Sequence, residues 1–464
     1  MSRCLTALIL VLLIAPATRA AATAPERLAE SVKFRTISYQ DRSLIDYEEF
    51  ARFNAFLAET FPLSFSRLEV ETVSDYSLLL RWPGSDANLP PVLFTAHSDV
   101  VPIEPGTEED WVQPPFAGVI VDDRIYGRGT LDDKQGVMGL LEATETLLAA
   151  GFQPQRTLVL AFGHDEEISG RDGAQALARV MQERGWHFTW MVDEGGMLLK
   201  DNPLLPGRES ALINIAEKGY LTLTLVARGE GGHSSRPPEI STIGRLSAAL
   251  TRIENNPFPA ELVEPVEAML AAVAPHTEQP LRFVFSNLWL TGGLVAGQMN
   301  DSPLTKSFVQ TTTALTMFNA GIKENVVPQQ AEAKINFRLL PGETHEAVVA
   351  RITELVDDPE IEILHDGWGR IPPVAEYPGG GYDVISRAIG EVYPEAVILP
   401  SLLTATTDTR HYIDVADNLY RFHGMMVESA QASSIHGTGE YIGVDSYEKM
   451  IAITERMLRF AAEP

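Results

Sequence analysis

One cysteine occurs among 464 residues, and it is Cys4, ahead of the first apolar run. Past that point disulfide frameworks and thiol nucleophiles are excluded. Basic residues are scarce: 36 Lys and Arg stand against 63 Asp and Glu, a formal net charge of −27. That balance excludes nucleic acid and anionic lipid surfaces as partners, since both need a basic face. Long hydrophobic runs are missing too. The one at residues 5–14 is too short to span a bilayer comfortably. With Arg3 before it, Pro16 breaking it and Thr18-Arg19-Ala20 offering a small-residue cleavage site, residues 1–20 are predicted to be a signal peptide. The protein is then secreted or periplasmic, with no membrane partner after cleavage; a retained N-terminal anchor is the alternative. What remains is 45% hydrophobic and 21% charged, the composition of a soluble globular chain long enough for two or more domains.

The first half alternates strands with helices. Strands are predicted at 77–82, 92–96, 157–162 and 190–192, and helices at 134–148 and 170–184. Such alternation implies a mostly parallel sheet with helices on both faces. Near Gly219 the rhythm changes. Residues 220–227 alternate apolar with polar, 240–253 has helical spacing, strands follow at 283–290, 311–318 and 333–339, then a helix at 345–356 and a strand at 361–364. The fold class is therefore α/β: a mostly parallel-sheet catalytic domain in two parts, 25–211 and 371–464, interrupted by an inserted α+β domain over 212–370.

Five short segments concentrate acids and histidines: Thr95-Ala96-His97-Ser98-Asp99, Gly127-Arg128-Gly129-Thr130-Leu131-Asp132-Asp133, His164-Asp165-Glu166-Glu167, Asp193-Glu194-Gly195-Gly196, and Ser434-Ile435-His436-Gly437-Thr438-Gly439-Glu440. Each alone has a plain structural explanation: a strand-end histidine satisfied by a carboxylate, a helix N-cap, a solvated acidic loop. Four of the five fall at or near strand ends of one α/β domain, where open sheets place their ligands. Acids packed together there repel unless cations are present. Imidazole and carboxylate are zinc donors, and two metals sharing a carboxylate are a known hydrolytic arrangement. The donor types fit cobalt and manganese as well.

These motifs, in this order and spacing, resemble those of the M20 metallopeptidases, the group of carboxypeptidase G2, aminoacylase-1 and succinyl-diaminopimelate desuccinylase. The chain is most similar to the branch of carboxypeptidase S, Gly-X carboxypeptidase and the secreted N-acyl amino acid hydrolases. The resemblance implies two zinc ions held by His97, Asp132, Glu167, Asp193 and His436, with Asp132 bridging, Asp99 orienting His97 and Glu166 as general base. It also implies a cis peptide between Asp132 and Asp133. In the insert, Gly231-Gly232-His233-Ser234-Ser235 resembles the family's lid histidine motif, with His233 stabilising the oxyanion and reaching the site across a homodimer formed through the lid. Asn325-Val326-Val327-Pro328 and Asn336-Phe337-Arg338 resemble the segments leading to an arginine, Arg338, that clamps the substrate carboxylate. Thr406-Thr407-Asp408-Thr409-Arg410 resembles the substrate loop, so that Asp408 and Arg410 from it, with Asn325 from the earlier segment, are further substrate-binding candidates. There the glycine pair that many relatives carry before the threonine is replaced by Ala405-Thr406. Lid closure would hinge near residues 214–219 and 368–372.

The implied activity is hydrolysis of an amide bond next to a free carboxylate, in a dipeptide, short peptide or N-acyl amino acid. Metal, His233 and Arg338 would then give an acidic protein a positive pocket. An aminopeptidase or amidase without carboxylate preference would need no such arginine, and an aminopeptidase would need an acid for the substrate amine. A non-catalytic binding protein on the same fold would lack the base.

Overall fold

The computed structural model describes residues 22–365 and 369–464. The candidate signal peptide at 1–20 and the hinge candidate Trp368 lie outside them. Among the described residues no helix is long and apolar enough to cross a membrane.

Continuous apolar runs build the centre. Val92–His97 and Leu158–Gly163 are buried at every position, which is why they read as unbroken hydrophobic stretches. They pair in parallel, and Val92–His97 pairs in parallel with Met191–Asp193. Leu419–Arg421 continues this parallel block, next to Met191–Asp193. Beyond it Ser210–Glu217 runs antiparallel to Leu419–Arg421 and parallel to Val397–Leu403. An antiparallel edge, Glu69–Val73 with Ser77–Trp82, closes the other side. The large sheet has ten strands, and helices such as Lys134–Ala149, Gly380–Val392 and Val444–Ala461 pack their apolar residues against one another and the sheet. A separate cluster lies beneath Ala174–Glu183. The mixed α/β fold with a large, mainly parallel central sheet agrees with the sequence.

The second sheet has four strands in the order Thr312–Ala320, Gln330–Leu339, Gly219–Arg228, Ile361–Leu364, all antiparallel. Helices Thr242–Glu254 and His345–Val356 share its core. Ser210–Glu217, which contains the expected boundary at 212, belongs wholly to the large sheet. The chain crosses to the small sheet at Lys218. The return crossing packs beside it: a Cβ on Gly219 would lie 2.7 Å from Ile371, and the amide of Ala375 donates to Ile215 O at 2.8 Å.

One expected element is wrong. Residues 283–290 are not a strand but parts of the helices Leu281–Ser286 and Leu288–Asn300. Phe-Val-Phe followed by Leu-Trp-Leu is a short apolar run whose period fits either state, and only packing decides. Here the run joins Glu264–Val273 in a helical layer over Val397–Leu403 of the large sheet.

Candidate metal centre

His97 ends its strand, and its ring lies 2% exposed. Its Nδ1 faces the backbone oxygen of Asp99 at 3.0 Å and the Asp99 carboxylate at 3.3 Å. A ring proton there leaves the Nε2 lone pair free. Nε2 is 2.9 Å from Asp132 Oδ1 and 3.6 Å from Glu194 Oε1. Asp99 does more than orient the imidazole. Its two oxygens accept the amides of Glu166 and Glu167, at 3.1 and 3.2 Å. The turn Glu166–Ile168, which follows the neighbouring strand, is thereby fixed to the strand end that carries His97.

Asp132 stands between both halves of the cluster. Its second oxygen is 2.9 Å from His436 Nε2, and Glu167 Oε2 is 3.2 Å from the same nitrogen. The Asp132–Asp133 peptide is cis, as the sequence resemblance implies. Asp133 points elsewhere and accepts the His97 amide at 3.1 Å. The loop before Asp132 is held from the far end of the chain. Glu440, fully buried, accepts the amides of Gly129 and Leu131 at 3.0 and 2.7 Å and the Arg128 guanidinium at 2.6 Å. Arg128 also donates to the carbonyls of His436 and Gly437, at 3.2 and 3.0 Å. One buried ion pair thus joins the Asp132 loop to the His436 loop. Arg128 and Glu440 carried no role in the sequence reading, because 312 positions separate them.

Two groups of three donors result: His97, Asp132 and Glu194, and Asp132, Glu167 and His436, with ligand atoms within 4.8 Å of one another in each. Asp193, expected from the sequence as a ligand, is in neither group, whereas Glu194 is in the first. Successive side chains at a strand end alternate sides. Asp193 Oδ1 accepts the Thr95 hydroxyl at 2.7 Å while its Oδ2 is buried with no hydrogen-bond partner in the structure, and Glu194 Oε1 lies 3.6 Å from His97 Nε2.

The electrostatics call for cations. Burial first, then the charge of Asp132, pushes the carboxyls of Glu167 and Glu194 upward, Glu194 well above its usual range. Burial and the facing Asp408 do the same to Glu166. Burial also works to raise Asp132, but hydrogen bonds from His436 and His97 outweigh it and hold that carboxyl low. His436 is pushed up to about 10 by its bonds to Asp132 and Glu167. Packed acids of this kind either take up protons or hold cations. Glu167 Oε1 is buried without a hydrogen-bond partner in the structure, as an atom that donates to a metal would be. The residues fit a pair of divalent ions sharing Asp132.

Of the remaining sequence candidates, some come together around Glu166 and some do not. Arg338, on strand Gln330–Leu339, donates to Thr406 Oγ1 at 3.1 Å and lies over the Tyr220 ring at 4.7 Å. The charges of Arg338 and Glu166 act on each other, as do those of Arg410 and Glu166. Asp408 is buried beside Gly170, where a Cβ would lie 2.1 Å from its Oδ1. His233 and Asn325 sit elsewhere. They lie at adjoining positions of an exposed two-stranded ribbon, in which Ser234 donates to Asn325 O at 3.1 Å. Among the described residues His233 Nδ1 accepts the Ser235 amide at 3.1 Å, and His233 makes no contact with the cluster.

Comparison with known proteins gives the family and the fold. The model of Peptidase family M20/M25/M40 matches residues 93–459. A probable carboxypeptidase S-like protein of Dictyostelium discoideum is 37% identical over 92% of this chain and 82% of its own. The N-fatty-acyl-amino acid synthase/hydrolase of Bos taurus is 37% identical over 92% of this chain and 85% of its own. Among solved structures, an M20 family metallo-carboxypeptidase from Sulfolobus solfataricus has a TM-score of 0.70 at 20% identity, covering 95% of this chain and 99% of that one. A family match over most of the length, with relatives this similar along nearly all of it, makes the chain a metallopeptidase-type enzyme of peptidase family M20/M25/M40.

Proposed function

We propose that the protein is a di-zinc hydrolase that cuts the amide bond beside a free carboxylate, releasing an amino acid from a short peptide or an N-acyl amino acid. The proposed ligands are His97, Asp132 and Glu194 for one ion and Asp132, Glu167 and His436 for the other. When bound, the ions supply Lewis acidity for the substrate carbonyl and acidify water. Glu166, in neither donor group, accepts the proton of the attacking water and returns it to the leaving amine. His233, exposed on its ribbon, serves the oxyanion from the partner of a lid-mediated homodimer.

The observation that carries the specificity is Arg338. It is a lid residue that reaches the substrate loop, through Thr406, and burial lowers its pKa. A part-buried guanidinium with no carboxylate partner among the described residues favours an anionic guest. The names of the relatives, carboxypeptidase S-like and N-fatty-acyl-amino acid synthase/hydrolase, fit the same substrate class. The test is a panel of Gly-X dipeptides and N-acyl amino acids, each with its C-terminal amide, assayed for amine release. The wild type should prefer the acid. Arg338→Ala should lower that preference roughly ten- to hundredfold, the worth of a lost charge-assisted contact. An unchanged preference in Arg338→Ala would move the carboxylate contact elsewhere. A wild type that prefers the amides would overturn the carboxylate reading.

A further inference from the structure

The substrate loop is held from beneath by one carboxylate. Glu217 ends strand Ser210–Glu217, immediately before the crossing to the small sheet, and is fully buried. Its Oε2 accepts four hydrogen bonds: from the Thr407 amide at 3.1 Å, the Thr407 hydroxyl at 2.9 Å, the Thr409 hydroxyl at 3.0 Å and Arg421 Nε at 3.1 Å. Arg421, also fully buried, gives its other nitrogens to Leu419 O at 2.7 Å and Thr409 Oγ1 at 2.6 Å. A buried ion pair holds only where further hydrogen bonds satisfy both partners. Here the two threonines supply them for Glu217 Oε2 and Arg421, while Glu217 Oε1 is buried with no hydrogen-bond partner in the structure.

The loop alternates. Thr407 and Thr409, 2% and 0% exposed, face Glu217. Thr406, Asp408 and Arg410 take the other side. Thr406 accepts Arg338 from the small sheet, and the charges of Asp408 and Arg410 act on Glu166. The residue after Glu217 faces the other way as well. Lys218 Nζ donates to Ser307 O at 3.0 Å and Gln310 O at 2.7 Å, just before the small-sheet strand Thr312–Ala320. Two consecutive residues therefore fasten the crossing to the substrate loop on one side and to the start of the lid strand on the other.

We infer that Glu217 is a positioning residue: through Thr407, Thr409 and Arg421 it sets the placement of Thr406, Asp408 and Arg410 against the bound substrate, and with Lys218 it ties that placement to the lid. The inference rests on the proposed hydrolysis of carboxylate-bearing amides. It explains why a charged residue is buried where the chain passes between sheets, at a point that touches none of the metal donors.

The test uses the whole chain with its metals. Thr407→Val combined with Thr409→Val keeps shape and removes both hydroxyl donors, while the Glu217–Arg421 pair stays. Thr407→Ser with Thr409→Ser keeps the hydroxyls, and Glu217→Gln removes the charge. KM and kcat are measured on an N-acyl amino acid and on its amide, with metal content. The valine pair and Glu217→Gln should raise KM for the acid about tenfold or more, a displacement of the order of 1 Å being able to cost about a hundredfold. The drop in kcat should be smaller, with metal content unchanged, and the serine pair should stay near wild type. If the valine pair and Glu217→Gln lower the melting temperature but leave KM unchanged, Glu217 is only structural and the inference fails while the hydrolase reading stands. If the wild type does not favour the acid over the amide, the carboxylate reading fails, and KM for the amide still reports whether Glu217 places the loop.

Discussion

Glu166→Gln should keep both metal ions and lose about 10²–10⁴-fold in kcat, the usual worth of a positioned proton acceptor. Glutamine has nearly the shape of glutamate, and the Glu166 amide stays on Asp99 Oδ1 at 3.1 Å whatever the side chain. The turn that also carries Glu167 is therefore undisturbed, and Glu167 keeps its place beside His436. Only the ability to take a proton disappears. Metal content by elemental analysis, with kcat on an N-acyl amino acid, separates this from structural damage. A variant with near wild-type kcat would show that another group is the base.

The second large effect distinguishes adjacent acids. Glu194→Ala removes one of the three proposed donors on the His97 side. It should release about one ion per chain and cost a hundredfold or more in rate, since one Lewis acid is worth several kcal/mol in the transition state. Asp193→Asn should keep both ions. Its bond from the Thr95 hydroxyl, 2.7 Å in the structure, can be made to the amide oxygen. The same elemental analysis and rate measurement decide it. The reverse pattern, metal lost with Asp193→Asn and kept with Glu194→Ala, would return the ligand role to Asp193.

That pair also shows where the sequence stops informing. Strand ends were legible because fully apolar runs such as Leu158–Gly163 are followed at once by acids. His97 and Glu167 stood out for that reason, Asp132 by its glycine-rich approach to a helix start and His436 only through the family resemblance, and the four meet in space. Between Asp193 and Glu194 the choice depends on which side of the strand end faces His97. A run of letters does not carry that parity when the strand is only three residues long. Helices Thr242–Glu254 and His345–Val356 were legible from their apolar spacing. The helices across 283–290 were not, because their apolar faces are defined by a layer over Val397–Leu403, far along the chain. Distance in sequence hid the supports as well. Glu217 meets Arg421 across 204 positions, and Arg128 meets Glu440 across 312. Neither pair has a local pattern, since a buried ion pair is specified by its partner and not by its neighbours. His233 and Asn325 were read from two separate motifs, and their adjacency on one ribbon was not legible because 92 positions separate them.

Hydrolysis of amides through divalent ions shared at Asp132, as proposed, makes the activity of this chain metal-dependent. The rate of amine release from an N-acyl amino acid tests it most directly, measured on the native protein, after removal of divalent ions, and after zinc is restored. The account predicts release by the native protein, loss of nearly all activity on removal and recovery on restoration, with no recovery in Asp132→Ala. Undiminished release after metal removal, or full activity in Asp132→Ala, would contradict it.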